Sequence, residues 1–312
     1  MTADTAPMPD APSPIKVRPA PAPELPDILP PVKVRRGLWG FVWRHPTMAI
    51  GGFILLLLVF MGLFAPFLGT VDPSAIAPIK RIREPSAENW FGTDAFGKDI
   101  YSRVIYGARI SLQVGFWVAL LSSVIGLTIG LVSGFLRWTD FVIMRIMDGL
   151  MSIPSILLAV ALMALTRASV ENVVMAITIA EIPRVTRLVR GVVLTLREQP
   201  YVDAAIAAGT STPMIIWRHI LPNTLAPLTV QATYICASAM ITEAILSFIG
   251  AGVPPTIAPS WGNIMADGRT LWEVKPYIIF FPAVFLSLTV LAVNLVGDGL
   301  RDAVDPRMAK RL

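Results

Sequence analysis

The chain has 312 residues, 54% of them hydrophobic and 15% charged, with a formal net charge of +5. A soluble domain carries about 25% charged residues, so this balance, with a mean hydropathy of +0.66, argues against a soluble enzyme and for a polytopic membrane protein. The single cysteine, Cys236, excludes an internal disulfide, and with only His45 and His219 beside it a Cys/His zinc site lacks ligands.

Residues 1–36 hold ten prolines between Pro7 and Pro31, a composition that predicts a disordered or polyproline-like tail. The first apolar run, Met48–Leu68, is long enough to span and stay, which argues against a cleaved leader. It belongs to a segment, 37–110, read as an anchor span followed by an extracytoplasmic loop. The remaining residues, 111–312, are read as the main transmembrane domain. Leu112–Phe135 is the second predicted span. Phe141–Leu165 is the third, interrupted by Arg145, Asp148 and Pro154. Val173–Ile182 is too short to cross alone and is expected to continue as a helix carrying Arg184, Arg187 and Arg190 to the interface. Leu225–Ile249 and Tyr277–Val296 complete an all-α membrane protein of six spans.

With the N-terminus placed inside, the inner segments hold 16 lysines and arginines and the outer ones 9. That bias predicts both termini in the cytoplasm, and it accounts for the positive charge without nucleic acid.

Four ionisable residues fall within predicted spans, where a charge costs about 2.5–3.5 kcal/mol and must face the bundle interior or an aqueous path. Arg145 and Asp148 have the spacing of a local pair, as do Glu181 and Arg184. Glu243 has no evident local partner, so Glu243 and Asp148 are the candidate pathway-lining residues. Trp39, Trp43, Trp261, Trp272 and Tyr277 fall near predicted interfaces and read as anchors. Gly92–Asp99 matches seven positions of a phosphate-binding loop, but Asp99 replaces the required hydroxyl residue, no strand precedes it, and Asp94 and Asp99 repel phosphate. It is read as a turn leading into the second span.

The loop at 198–223 is the most informative stretch. Pro200 suits a first helical position, the alanines at 204, 205, 207 and 208 favour helix, and Gly209 suits a left-handed close. Thr212-Pro213 reads as a cap that restarts a helix, which Pro222 then ends or bends. Asp203-Ala204-Ala205, Gly209 and Leu221-Pro222 together resemble the EAA loop of ABC importer permeases, with Asp203 where that family usually has glutamate and His219 where isoleucine is frequent. Gly92-Thr93-Asp94, Gly97-Lys98-Asp99, Tyr106-Gly107-Ala108-Arg109, Pro259-Ser260-Trp261-Gly262 and Asn294–Arg307 extend the resemblance over about residues 38–307. They are similar to the second permease subunit of the dipeptide/oligopeptide/nickel branch, where arginine usually stands at Lys98.

The resemblance implies the type I ABC importer permease bundle in a bacterial or archaeal cytoplasmic membrane. It implies four kinds of partner: a homologous second permease, cytoplasmic ATPase subunits, an extracytoplasmic substrate-binding protein and the lipid bilayer. Asp203, Ala204, Ala205, Gly209, Leu221 and Pro222 would contact the ATPase. The cargo would be di- or oligopeptides, with nickel or another small solute as the alternative. No catalytic residue, metal or cofactor is expected, since ATP hydrolysis would reside in the separate ATPase subunits. A competing class, an ion-coupled secondary transporter using Asp148, Glu181 or Glu243, would need an internal repeat that the sequence does not display.

Overall fold

The computed structural model describes residues 45–304, so the proline-rich tail, Trp39, Trp43 and the last eight residues lie outside it. Among the described residues the architecture is helical, and the β pairing is an isolated bridge between Thr93 and Asp99. In chain order the helices are α1 Pro46–Leu63, α2 Ile100–Phe135, α3 Arg137–Met151, α4 Ser155–Ala164, α5 Val170–Arg197, α6 Pro200–Ala207, α7 Thr212–Ile215, α8 Leu221–Phe248, α9 Trp261–Gly268 and α10 Tyr277–Val304. A π turn over Ile216–Ile220 joins α7 to α8.

Four of these stretches are long and apolar enough to cross a membrane, counting α7 through α8 as one, and a fifth follows if the bent pair α3–α4 is one span. The bend is 85° and falls at the break that ends in Pro154, the residue before α4. Proline disfavours helix at the residue before it and cannot donate to the preceding turn. The third span expected from the sequence, with its interruption at Pro154, is therefore two helices set at a sharp bend. The fourth, α5, does continue through Pro183 to Arg197 as expected. Its charged residues, Glu171, Glu181, Arg184, Arg187, Arg190 and Arg197, keep it outside the apolar set. The second starts twelve residues earlier than its apolar run because the Asp99 carboxylate caps it, accepting from the Ser102 backbone N–H at 2.8 Å.

Close backbone approaches fix the direction in which the helices run. Gly126, Gly130 and Gly134 of α2 meet Val185, Val189 and Val193 of α5 in succession, and a Cβ built on each glycine would stand 2.5, 2.6 and 2.7 Å from the facing valine Cβ. Both series ascend together, so α2 and α5 are parallel and in register, with valine ridges in a glycine groove. Gly115 of α2 lies against Met240 of α8 while Ser111 reaches Glu243, an antiparallel contact. Gly297 of α10 meets Thr233 and Val293 clusters with Met240, which makes α8 and α10 antiparallel. Gly51 of α1 faces Ala292 and Leu295, and Met48 faces Gly299, so α1 opposes α10. By these directions Pro46, Phe135, Arg197, Leu221 and Val304 share one end of the bundle, called here the loop end.

The core runs along the α2–α5–α8 contact through Val114, Val118, Ile177, Val185, Val189, Ile235 and Leu246. A second cluster at the opposite end packs Ile100, Val104 and Ala108 of α2 against Trp261, Ile264 and Ile278. Trp261 is thus a core residue rather than an interface anchor: it is fully buried and its indole N–H donates to the Val104 carbonyl at 3.0 Å. Ser260 and Asn263 form a capping box that starts α9 there. Trp272 is exposed, as an anchor would be, whereas the Tyr277 hydroxyl donates to the Arg83 carbonyl at 2.9 Å.

Candidate functional site

The 198–223 segment folds as a helical hairpin at the loop end. Gln199 precedes α6 in extended conformation and Pro200 occupies its first turn, where a missing N–H costs nothing. Gly209 closes the helix at φ +76°. Its N–H donates to the Ile206 carbonyl at 2.9 Å and the Thr210 N–H to the Ala205 carbonyl at 3.0 Å, the paired bonds of a Schellman motif. The restart differs by one residue from the sequence reading. Ser211 is the residue before α7, Thr212 begins it, and Pro213 still lies in the first turn. Pro222 does not end the helix. The π turn immediately before it widens the ladder, and α8 runs on for 28 residues.

Three aliphatic side chains, Val202, Ile215 and Ile220, are buried in the main core and hold the hairpin down. The opposite surface is open. Asp203, Ala204, Ala207, Ala208 and Gly209 are exposed, with Ala205 and Leu221 partly buried and Pro222 exposed at the base of α8. Tyr201, Ile206, Met214 and Trp217 are also exposed, Trp217 at 71%. The result is an exposed, small-residue face on a short capped helix, flanked by large apolar side chains. A surface of that kind suits close docking by another protein. Of the six residues expected to make this contact, all lie on or at the foot of the hairpin.

Above it stands the arginine ladder of α5, whose long-range partners sequence spacing did not disclose. Arg190 of α5 grips Asp140 of α3 through both carboxylate oxygens, one bond being 2.7 Å, and Arg187 reaches Asp148 at 2.6 Å. Arg184 donates to Glu181 at 3.0 Å, the local pair expected from the sequence. Asp148, however, pairs with Arg187 and not with Arg145, whose guanidinium instead lies over the Phe141 ring at 5.5 Å.

Glu243 is fully buried between α2, α8 and α9. It has the local partner that the sequence reading missed: the Ser247 hydroxyl, one turn on, donates to Oε1 at 2.7 Å. Ser111 Oγ stands 3.5 Å from Oε2, and the Ser260 hydroxyl also faces the carboxylate. In this conformation Glu243 ties three helices together and presents no surface to solvent.

At the opposite end, residues 64–99 form a cap over α2. Arg103 is buried and bridges Asp94 at 2.6 Å and Asp267 of α9 at 2.8 Å. The Asp94 carboxylate also accepts the backbone N–H groups of Phe96 and Lys98, both at 2.8 Å. Two amides of the Gly92–Asp99 turn are therefore engaged by the chain's own carboxylate and are not open to a phosphate. Lys275 bonds Glu84 at 2.6 Å and holds that carboxyl below its usual range through the bond and its charge, fastening the cap to the segment before α10.

Comparison with known proteins adds to this geometry. Residues 123–310 match the family model for the binding-protein-dependent transport system inner membrane component. The chain is 54% identical over 268 residues to a probable peptide ABC transporter permease protein of Sinorhizobium fredii, covering 86% of this chain and 91% of that one. It is 43% identical to the dipeptide transport system permease protein DppC of Alkalihalophilus pseudofirmus, covering 85% and 87%. It is 39% identical to the glutathione transport system permease protein GsiD of Pectobacterium atrosepticum, covering 86% and 91%. Among solved structures, the inward-facing MetNI methionine ABC transporter superposes with a TM-score of 0.55 at 21% identity, over 65% of this chain and 96% of that one. That likeness is one of fold, the type I ABC importer permease fold.

Proposed function

The chain belongs to the binding-protein-dependent transport system inner membrane component family, and from that membership we propose that it is the permease subunit through which an ATP-driven importer passes di- and oligopeptides. It is a transport subunit and not an enzyme. The observation that carries the coupling assignment is the hairpin at the loop end, pinned by Val202, Ile215 and Ile220 and open on its Asp203–Ala208 face. A moving ATPase transmits force only through a contact that differs between its states and is stiff enough to carry the difference. Asp203 lies in the first turn of α6, where the macrodipole favours an acid, and it is free to meet a cation of the partner.

Six crossings with both ends inside is the topology we favour. The in-register α2–α5 contact supports it, because extrapolating that register sets Val170 near Ser111. Residues 136–169 then have to return about 35 Å along α2, a full hydrocarbon thickness, before α5 can begin. With that return crossing placed between the parallel α2 and α5, the directions of α1, α2, α5, α8 and α10 fit six alternating passes. The loop end would be cytoplasmic, in a bacterial inner membrane. A second, homologous permease would complete the pore, ATPase subunits would dock on the hairpin, and a binding protein would deliver cargo to the cap end. The glutathione permeases among the relatives keep the cargo among short peptides.

The test is reconstitution. The complex copurified on this chain should contain an ATPase subunit and should accumulate labelled dipeptide in vesicles when ATP and the binding protein are supplied. Purification without any ATPase, or uptake driven by an ion gradient with no ATP, would refute the assignment.

A further inference from the structure

The ladder on α5 contains a feature that neither packing nor ATPase docking uses. Arg184 lies fourteen residues from the start of α5 and thirteen from its end, about 20 Å from either. A guanidinium at that depth cannot face acyl chains without a large penalty, yet its side chain is 40% exposed. One turn toward the loop end the Arg187–Asp148 pair is more open still, at 48% and 54%. A surface with these groups at membrane depth has to face water or protein, so it marks the side of α5 turned from lipid.

Two further observations shape that surface. The half-exposed Tyr234 of α8 places its ring 5.7 Å from the Arg184 guanidinium, a cation–π contact that braces the guanidinium from the neighbouring helix. The almost fully buried Glu181 takes only Nη1, at 3.0 and 3.3 Å, leaving Nη2 and Nε without a hydrogen bond among the described residues. Arg145, Arg184, Arg187 and Arg190 outnumber Asp140, Asp148 and Glu181, so the cluster is net positive. A planar, braced guanidinium with two open donors fits a carboxylate.

We propose that Arg184, supported by Glu181 and Tyr234, is a station on the translocation path that receives the free C-terminal carboxylate of the passing peptide. The assignment rests on the peptide-import reading above and adds a binding residue to it. Peptide selection by the binding protein precedes this step, so the station governs how fast a delivered peptide passes and not how tightly it is captured.

Two measurements on the whole reconstituted complex test it. In uptake assays Arg184→Gln should lower the maximal rate about tenfold or more with KM and the copurified ATPase unchanged, and Arg184→Lys, which keeps charge but loses the fork, should fall between. Tyr234→Cys in a Cys236→Ser background should react with a water-soluble maleimide, more slowly when transported peptide is present. Uptake by Arg184→Gln within about twofold of the unmutated rate would overturn the proposal. So would a Tyr234→Cys thiol that does not react or is not protected, as expected if this face is sealed against the second permease. If Arg184→Gln fails to assemble, the labelling arm decides alone. A complex that imports no peptide at all refutes the peptide reading itself, whereas one that imports peptide equally well with Arg184→Gln refutes only this station.

Discussion

Gly209 stands at φ +76°, and a Cβ added there would meet nothing within 4 Å. A substitution is therefore a test of backbone strain with no steric clash mixed in. Gly209→Val should cost about 1–3 kcal/mol at the hairpin, tilt α6, and leave the permease in the membrane while lowering copurified ATPase or uncoupling hydrolysis from uptake. Gly209→Asn, which tolerates the left-handed region, should retain most of both. Equal copurification, hydrolysis and uptake in Gly209→Val and the unmutated chain would remove this hairpin from the coupling role. Glu243 gives a second residue-scale outcome. Truncation in Glu243→Ala takes the acceptor from the buried Ser247 hydroxyl, which itself accepts the Val253 N–H at 3.0 Å. We expect a loss of about 1–3 kcal/mol in thermal unfolding of the purified chain, and a smaller loss in Glu243→Gln, which keeps a carbonyl acceptor. Equal melting of all three would mean the carboxylate contributes nothing to packing.

The α2–α5 pair is where an element-scale change should be most damaging and most readily repaired. At Gly130 a Cβ would lie 2.6 Å from Val189 Cβ and 2.9 Å from the Thr186 carbonyl. Gly130→Ala should destabilise by about 1–3 kcal/mol, and adding Val189→Ala, which removes the Cγ1 that would stand 2.7 Å from the new methyl, should recover part of that, giving a positive coupling in a double-mutant cycle. Additive losses would show that the two helices do not meet at this register. This repeat, glycine at every fourth residue from 126 to 134, was present in the sequence but invisible to hydropathy, which scores glycine as nearly neutral. The hairpin, by contrast, was legible residue by residue, because Pro200, Gly209 and the alanines act through their own backbone preferences. Long-range pairing was not legible. Asp148 had a plausible neighbour three residues away in Arg145, and only the fold brings Arg187 to it from 39 residues on. Trp261 misled for a related reason: it follows an apolar span in sequence, but α9 turns back and buries it against Val104.

At the scale of the whole molecule the arrangement of directions makes orientation a single binary question. Residues 64–99 cap one end, and the 198–223 hairpin lies at the other with both described chain ends. Ser86 and Ser211 are both exposed and stand at opposite ends. In a Cys236→Ser background, Ser86→Cys should be labelled by an impermeant thiol reagent added to intact cells, and Ser211→Cys only after the membrane is opened. The reverse pattern would invert the molecule and place the hairpin outside, away from any ATPase. The parallel glycine groove also bears on how such a chain is made. During synthesis α2 emerges and enters the bilayer on its own hydrophobicity, but α5, with six charged residues in 28, cannot partition there unaided. On the six-crossing topology proposed above, its valine ridge would find a ready mould in α2 once the bent pair has doubled back, and α5 would enter the membrane as a guest of α2. On that topology the groove would order biogenesis: a residue too large at Gly126, Gly130 or Gly134 would be felt first at the insertion machinery, as a helix left outside the bilayer, before any question of transport arises.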